Sequence, residues 1–185
     1  MIASKRLLFL SLILAGLVGC DRHVARSEVD EQRPTGQGEI GSRLPDFSVK
    51  DLEGRSVSSD DLHGKVVLID FWATWCAPCE KEMPGYQTLF DRYSARGFAV
   101  VGLKASMMKD TENPVQFAKR LGIRYPLAVA TADLSQKFGG IEGLPTTLLY
   151  DRTGVLRKKT IGFEYTSVIE AELKPLLIVR RRVER

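Results

Sequence analysis

An apolar run that leads directly into a pair of cysteines constrains the fold of this chain more than any other feature. Residues 65–71 (KVVLIDF) are mostly apolar and β-branched, which is typical of a strand buried on both faces of a sheet. Trp72 to Trp75 follow, then Cys76-Ala77-Pro78-Cys79, and a helical pattern runs on from Glu80. The sequence therefore predicts a strand, a short turn, and a helix with Cys76 at its start.

The position of Cys76 suits a reactive thiol. The first turn of a helix offers unpaired N–H groups and the positive end of the helix dipole, and both favour a thiolate over a thiol. Cys79 lies one turn later on the same face, within disulfide reach with little backbone movement. Pro78 occupies an early helical position, where its missing N–H costs little. We expect Cys76 to attack a disulfide and Cys79 to resolve the mixed disulfide, with their own disulfide as the only redox group.

The same spacing also occurs as half of a zinc site, which needs two further ligands. After residue 40 the only histidine is His63, and no cysteine follows Cys79. The chain therefore lacks the usual donors, and we predict redox chemistry and no metal.

The start of the chain predicts export. A positively charged beginning precedes the apolar stretch Leu7–Val18, which fits a signal peptide and is too short to span a bilayer comfortably. The stretch ends in Leu-Val-Gly-Cys20, which resembles a bacterial lipobox. We interpret residues 1–19 as a lipoprotein signal peptide and Cys20 as the lipid anchor. The alternative is an ordinary signal peptide, or an uncleaved anchor that contains a cysteine.

The cysteine count agrees with lipidation of Cys20. The chain has three cysteines, and a lipid on Cys20 leaves only the Cys76/Cys79 pair. A single pair in an oxidising compartment favours redox chemistry over structural cross-linking. Asp21 resembles an inner-membrane retention signal of lipoproteins. The expected location is therefore the bacterial cell envelope, at the periplasmic face of the inner membrane.

Composition divides the remainder of the chain into a linker, a domain and a tail. Residues 20–40 are polar and charged, and we interpret them as a flexible linker after the lipidated cysteine. Residues 41–178 form the predicted domain, and residues 179–185 form an arginine-rich tail, either solvated or in contact with lipid or a partner. The formal net charge of +4 is too small to indicate a nucleic-acid partner.

Strand and helix patterns alternate along the domain. Residues 47–50 and 56–58 predict a hairpin, and the last two strands should be antiparallel because a tight turn joins them. Together these elements predict an α/β fold with a mixed central sheet and helices on both faces. The other predicted strands are Phe98–Leu103, Pro126–Ala130, Thr146–Tyr150 and Val155–Ile161, and the other predicted helices are Pro114–Leu121, Ala132–Phe138 and Thr166–Leu177.

Two motifs resemble those of a known family. DFWATWCAPC resembles the active-site signature of the thioredoxin superfamily, and Gly143-Leu144-Pro145-Thr146-Thr147 resembles its cis-proline loop. The chain from about Gly41 to Leu177 is similar to membrane-anchored thiol-disulfide oxidoreductases of the TlpA/ResA type. In that group the segment 114–130 corresponds to an extra central αβ element. The resemblance implies a thioredoxin-like fold.

The resemblance also implies roles around the substrate. Pro145 should follow a cis peptide bond beside Cys76, and the backbone of Leu144 should pair with an extended substrate segment. The alternative is a trans proline that starts the strand at Thr146. Trp75 is expected to cover the face of the disulfide.

Two carboxylates complete the expected site. Asp70 matches the buried acid of thioredoxins, which takes the proton of the second cysteine; the alternative is a surface aspartate at a strand end. Glu82 matches a glutamate near the site of ResA-like proteins and would tune the thiols. The alternative for Glu82 is a solvated residue that stabilises the first turn of the helix.

The resemblance favours reduction of disulfides in specific exported clients, such as apocytochrome c or a metal-site assembly protein. A membrane electron donor of the DsbD/CcdA type would supply the electrons, and the chain is expected to be a monomer. Two features agree with reduction. No histidine lies between the cysteines, and Asp70 provides an acid suited to deprotonating Cys79. A general oxidant or isomerase and a non-catalytic adaptor are the alternatives. The segment LIDFWATWC departs from the Pro-x-x-x-Thr-x-x-Cys motif of peroxiredoxins, which argues against a peroxidase. A copper chaperone would need a CxxxC pair and a histidine late in the chain, and the sequence has neither.

Overall fold

The computed structural model describes residues 38–178. The predicted signal peptide 1–19, Cys20, most of the linker 20–40 and the tail 179–185 lie outside the described residues. Within residues 38–178, no helix combines the length and the apolar character needed to cross a bilayer.

The fold is built on the strand that precedes the cysteines. All seven residues of this strand, Val66–Trp72, are buried. The strands are β1 (Ser48–Lys50), β2 (Ser56–Ser58), β3 (Val66–Trp72), β4 (Phe98–Lys104), β5 (Leu127–Val129), β6 (Thr146–Tyr150) and β7 (Leu156–Ile161), and the helices are α1 (Ala77–Tyr93), α2 (Pro114–Arg120), α3 (Ala132–Lys137) and α4 (Thr166–Leu176).

The central sheet is mixed. Its five strands lie in the order β5-β4-β3-β6-β7. β3 and β4 are parallel, as are β4 and β5, whereas β6 is antiparallel to both β3 and β7. β1 and β2 form a separate antiparallel hairpin. The carboxyl ends of β3, β4 and β5 therefore meet at one edge of the sheet, where α1 begins.

Alternation along β3 divides the core between the two faces of the sheet. Leu68 and Trp72 pack on one face with side chains of α1, α2 and α4. Val67, Ile69 and Phe71 pack on the other face with α3 and the β1–β2 hairpin. The α/β class, the mixed sheet with helices on both faces, the hairpin and the αβ element formed by α2 and β5 are thus confirmed.

Candidate active site

Cys76 and Cys79 form a disulfide at the start of α1. Their Cα atoms are 5.3 Å apart, and Cys76 is the N-cap of the helix. The backbone N–H of Cys79 donates to Cys76 Sγ at 3.2 Å, so the first turn of the helix directs a donor at the expected nucleophile. Pro78 lies in this first turn. Cys76 is 4% exposed and Cys79 is fully buried, so only Cys76 is open to a substrate.

A polar network holds the turn before the disulfide. Lys104, at the end of β4, is 5% exposed and donates to Asp110 Oδ2 at 2.9 Å. Thr74 Oγ1 donates to Asp110 Oδ1 at 3.0 Å and accepts from the backbone N–H of Thr111 at 2.9 Å. Thr111 Oγ1 donates to the carbonyl of Thr74 at 2.9 Å. The loop after β4 is therefore attached to a residue two positions before Cys76.

The two tryptophans near the disulfide differ in burial. Trp72 is fully buried, and its ring stacks on Phe117 with centroids 5.1 Å apart. Gly102, on β4, leaves room for Leu127 and for this ring, because a Cβ there would overlap Leu127 Cδ2 and lie 3.1 Å from Trp72 Nε1. Trp75 is half-buried and packs against the core cluster that contains both cysteines. That Trp75 covers the disulfide itself stays a prediction.

Asp70 is fully buried on β3, so the alternative of a surface aspartate is wrong. Its side chain lies on the same face of β3 as Leu68 and Trp72, the face covered by α1. Among the described residues, neither carboxylate oxygen has a hydrogen-bond partner. Burial raises the pKa of Asp70 to about 7, which places it in the working range of a general base at neutral pH.

Glu82 is also buried, at 1% exposure. Its alternative reading as a solvated first-turn residue is therefore wrong. Its Oε2 atom accepts from the backbone N–H of Glu164 at 3.3 Å, in the loop between β7 and α4. Burial, and next the charge of Asp70, raise the pKa of Glu82 to about 9. The charge of Asp70 thus opposes ionisation of Glu82, and together the two carboxyls hold at least one proton at neutral pH.

Two tyrosines line the same buried region. The hydroxyl of Tyr86 on α1 lies 3.1 Å from Thr147 Oγ1 on β6, and Thr147 is the register partner of Asp70. Burial raises the pKa of both Tyr86 and Tyr125, and the charges of Asp70 and Glu82 raise it further. Both phenols therefore stay neutral, and the two carboxyls are the groups that exchange protons here.

The loop before β6 has the predicted cis peptide bond between Leu144 and Pro145. The carbonyl of Pro145, which is buried, accepts from the backbone N–H of Gly162 at 2.8 Å. Leu144 is half-buried and packs against both core clusters. Within residues 38–178, its backbone N–H and carbonyl have no hydrogen-bond partner in the structure. This backbone is therefore free to pair with an added strand.

Sequence reasoning missed several residues of this site. The helical period marked Tyr86 as buried but not as a neighbour of Asp70. No sequence pattern indicated Lys104 or Asp110 as part of the site, because only the closure of a loop brings them to Thr74. Among the described residues, no three histidine, cysteine, aspartate or glutamate side chains form a group that could hold a metal ion.

Known proteins resemble this chain over most of its length. The model of the AhpC/TSA family matches residues 40–159. The chain is 36% identical to the thiol-disulfide oxidoreductase ResA of Bacillus anthracis over 93% of this chain and 97% of that protein. A solved thiol:disulfide interchange protein of the thioredoxin family from Chlorobium tepidum is 30% identical, with a TM-score of 0.68 over 75% of this chain and 98% of the other. With the buried disulfide at the start of α1, these likenesses show that the chain belongs to the AhpC/TSA family and is a thioredoxin-like thiol-disulfide oxidoreductase.

Proposed function

We propose that this oxidoreductase is exported, tethered to the membrane through Cys20, and reduces disulfides in specific extracytoplasmic clients. The observation that carries the proposed exchange reaction is the acid buried on the face of β3 that α1 covers. Asp70 has no hydrogen-bond partner among the described residues and a pKa raised to about 7 by burial. A base of this kind suits the deprotonation of Cys79, which is the step that completes the reduction of a client.

The reaction transfers two electrons and two protons from the enzyme dithiol to the client. The Cys76 thiolate attacks one sulfur of the client disulfide, forming a mixed disulfide and releasing a client thiolate, which takes up a proton. Asp70 then accepts the proton of Cys79. The resulting thiolate attacks Cys76 Sγ, forms the Cys76–Cys79 disulfide and releases the second client thiolate, which is protonated in turn.

The residues between the cysteines support reduction over the alternative of a general oxidant or isomerase. Strong oxidants stabilise their reduced dithiol, and reduction potentials range from about −270 mV for thioredoxin to about −120 mV for DsbA. Ala77 and Pro78 supply no imidazole that would stabilise a Cys76 thiolate. A non-catalytic adaptor would need neither the cysteine pair nor a buried acid beneath it.

The client class and the electron donor follow from the resemblance to the TlpA/ResA group. Apocytochrome c or a metal-site assembly protein is the proposed client. Because an oxidising compartment provides no reductant, a membrane carrier of the DsbD/CcdA type is proposed to reduce the Cys76–Cys79 disulfide after each turnover.

A Cys79→Ser variant should trap clients. Cys76 can still attack a client disulfide, but a serine hydroxyl cannot displace the client from the mixed disulfide. We expect clients to accumulate on Cys76 and to be identified by mass spectrometry after non-reducing electrophoresis. A Cys76→Ser/Cys79→Ser double variant is the control and should trap nothing. Recovery of one cytochrome or one metal-site protein supports the proposal, whereas a broad set of exported proteins contradicts client specificity.

A Cys20→Ala variant should separate the domain from the membrane. If Cys20 carries the lipid, its loss either blocks processing of residues 1–19 or moves the protein to the soluble fraction. Fractionation and the mass of the mature protein measure this result. Thiol-disulfide exchange by the purified domain should not change, because Cys20 lies outside residues 41–178. A variant that stays in the membrane at the wild-type mass contradicts the anchor.

A further inference from the structure

The loop between β4 and α2 exposes two large apolar side chains beside the active-site turn. We call residues 105–113 the methionine loop. Met107 is 55% exposed and Met108 is 65% exposed. The two methionines are adjacent and together expose an apolar patch, and methionine adapts its shape to different partners.

The methionine loop is held in place at both ends of this apolar segment. At its start, the backbone N–H of Ala105 donates to the carbonyl of Trp72 at 2.8 Å. After the methionines, Asp110 binds both the buried Lys104 ammonium and the Thr74 hydroxyl. Because Trp72 and Thr74 lie on the chain that leads into Cys76, these hydrogen bonds attach the loop to the turn that carries the disulfide.

A groove of about 460 Å³ lies against the methionine loop. It opens at the carboxyl ends of β4 and β5, the edge of the sheet at which α1 begins and at which ligands bind in open α/β sheets. Val129, 43% exposed, contributes to the apolar part of its wall. The residues that give the groove its apolar character are Ala105, Met107, Val129, Ala130, Ala132 and Ile141.

The burial of Cys76 requires close contact between the client and this edge. Only 4% of Cys76 is exposed, and a disulfide bond forms only when two sulfurs approach to about 2 Å. The polypeptide on either side of the client cysteine must therefore lie on the surface around Cys76. The hydrogen bonds at Trp72 and Thr74 join the methionine loop to the chain that leads into Cys76, and its groove opens at the same edge of the sheet.

We propose that the groove beside the methionine loop binds an apolar side chain of the client polypeptide close to its reactive cysteine. This inference rests on the proposed function, because it assumes a polypeptide disulfide as the substrate. The chemistry selected is an aliphatic or aromatic side chain, since six of the ten lining residues are apolar and the other four, Ser106, Thr131, Ser135 and Gln136, are uncharged. Met107 lines the groove and adapts it to different apolar residues, and the exposed Met108 adds apolar surface beside it. The Lys104–Asp110–Thr74 network attaches this loop to the turn before Cys76.

The test compares two synthetic peptides, each closed by one disulfide and differing only in the residues that flank one cysteine. One peptide has leucine at these positions and the other has serine. The variant is Met107→Ser/Met108→Ser. The control is Ile40→Ser/Ile178→Ser, because these residues have matching exposures of 57% and 65% and do not line the groove. Dithiothreitol supplies electrons, and thermal unfolding verifies that each variant is folded.

We expect the methionine variant to lose about tenfold in kcat/KM on the leucine peptide, the change that corresponds to about 1.4 kcal/mol of lost apolar contact. Its kcat/KM on the serine peptide and on glutathione disulfide should stay at the wild-type value, as should all values for the control. A Met107→Leu/Met108→Leu variant should restore the wild-type kcat/KM on the leucine peptide. Equal kcat/KM of the wild type on both peptides, or an equal loss on all substrates, overturns the groove proposal.

The peptide comparison tests the groove whether or not the proposed direction of electron flow is correct. If the wild type oxidises the dithiol peptides but does not reduce their disulfides, reduction is wrong and the same peptide comparison still tests the groove. Sedimentation distinguishes a client from a second copy of this chain as the occupant of the groove. A wild-type dimer that the methionine variant dissociates would assign the groove to a second copy of this chain and overturn the proposal.

Discussion

Replacing Cys76 with serine is expected to abolish disulfide reduction. Cys76 is the only one of the two cysteines with exposed surface, and its Sγ atom accepts the N–H of Cys79 in the first helical turn. A serine hydroxyl is not ionised at neutral pH and cannot form a disulfide with a client. We expect the rate to fall at least about a thousandfold, to that of dithiothreitol alone. Insulin reduction, followed by turbidity, measures the loss.

The matched control for Cys76→Ser is the same substitution at Cys79. Both variants lack the internal disulfide, so any common effect of its loss on stability is present in both. Only the Cys79 variant should still form a mixed disulfide with insulin. Full turnover by Cys76→Ser, or equal trapping by both variants, contradicts the assignment of Cys76 as the nucleophile.

Much of the fold could be predicted because its strands bury both faces. The run at residues 65–71 is apolar except for Lys65 and Asp70, and a strand between two layers of helices needs such a run. The start of α1 at Cys76 was also predicted correctly. The periodic pattern begins only at Glu80, but the proline at position 78 is typical of a first helical turn and extends the prediction back to Cys76.

The candidate site divides along similar lines. Asp70 stood out because a carboxylate within an apolar strand has nowhere to be solvated. Glu82 carried a comparable signal, since it lies three residues after Cys79 and four before Tyr86, on the buried face of α1. No sequence pattern marked Glu164, the residue of the β7–α4 loop whose backbone N–H donates to Glu82. Contacts that depend on how loops close, such as Thr74 with Asp110, leave no periodic trace in a sequence.

The buried acid pair should make the protein less stable as the pH rises. In the unfolded chain an aspartate titrates near pH 3.9, whereas burial raises the pKa of Asp70 in the folded protein to about 7. Between these values the folded state holds a proton that the unfolded state has released. The contribution of Asp70 is therefore fully present below about pH 4 and is lost as the pH rises through about 7.

An Asp70→Asn variant is expected to remove this loss. The difference in free energy of unfolding between the variant and the wild type should increase by a few kcal/mol, in favour of the variant, from pH 4 to pH 8. Urea unfolding of the oxidised protein at both pH values measures the change. Asp133→Asn, at an exposed carboxylate on α3, is the control and should follow the wild-type pH dependence. If Asp70→Asn and the wild type have parallel pH profiles, Asp70 is not a buried, protonated acid in the folded state.

The same substitution should slow catalysis at the resolving step. Without Asp70, the proposed base for the proton of Cys79 is lost, so mixed disulfides on Cys76 should persist longer, by about 10²-fold. Quenched-flow trapping of the peptide adduct measures its lifetime, and formation of the adduct should keep its wild-type rate. The pKa of Glu82 should also fall from about 9, because the charge of Asp70 helps to raise it. Asp70 would then lower stability at neutral pH while speeding turnover, the trade expected of a buried catalytic base.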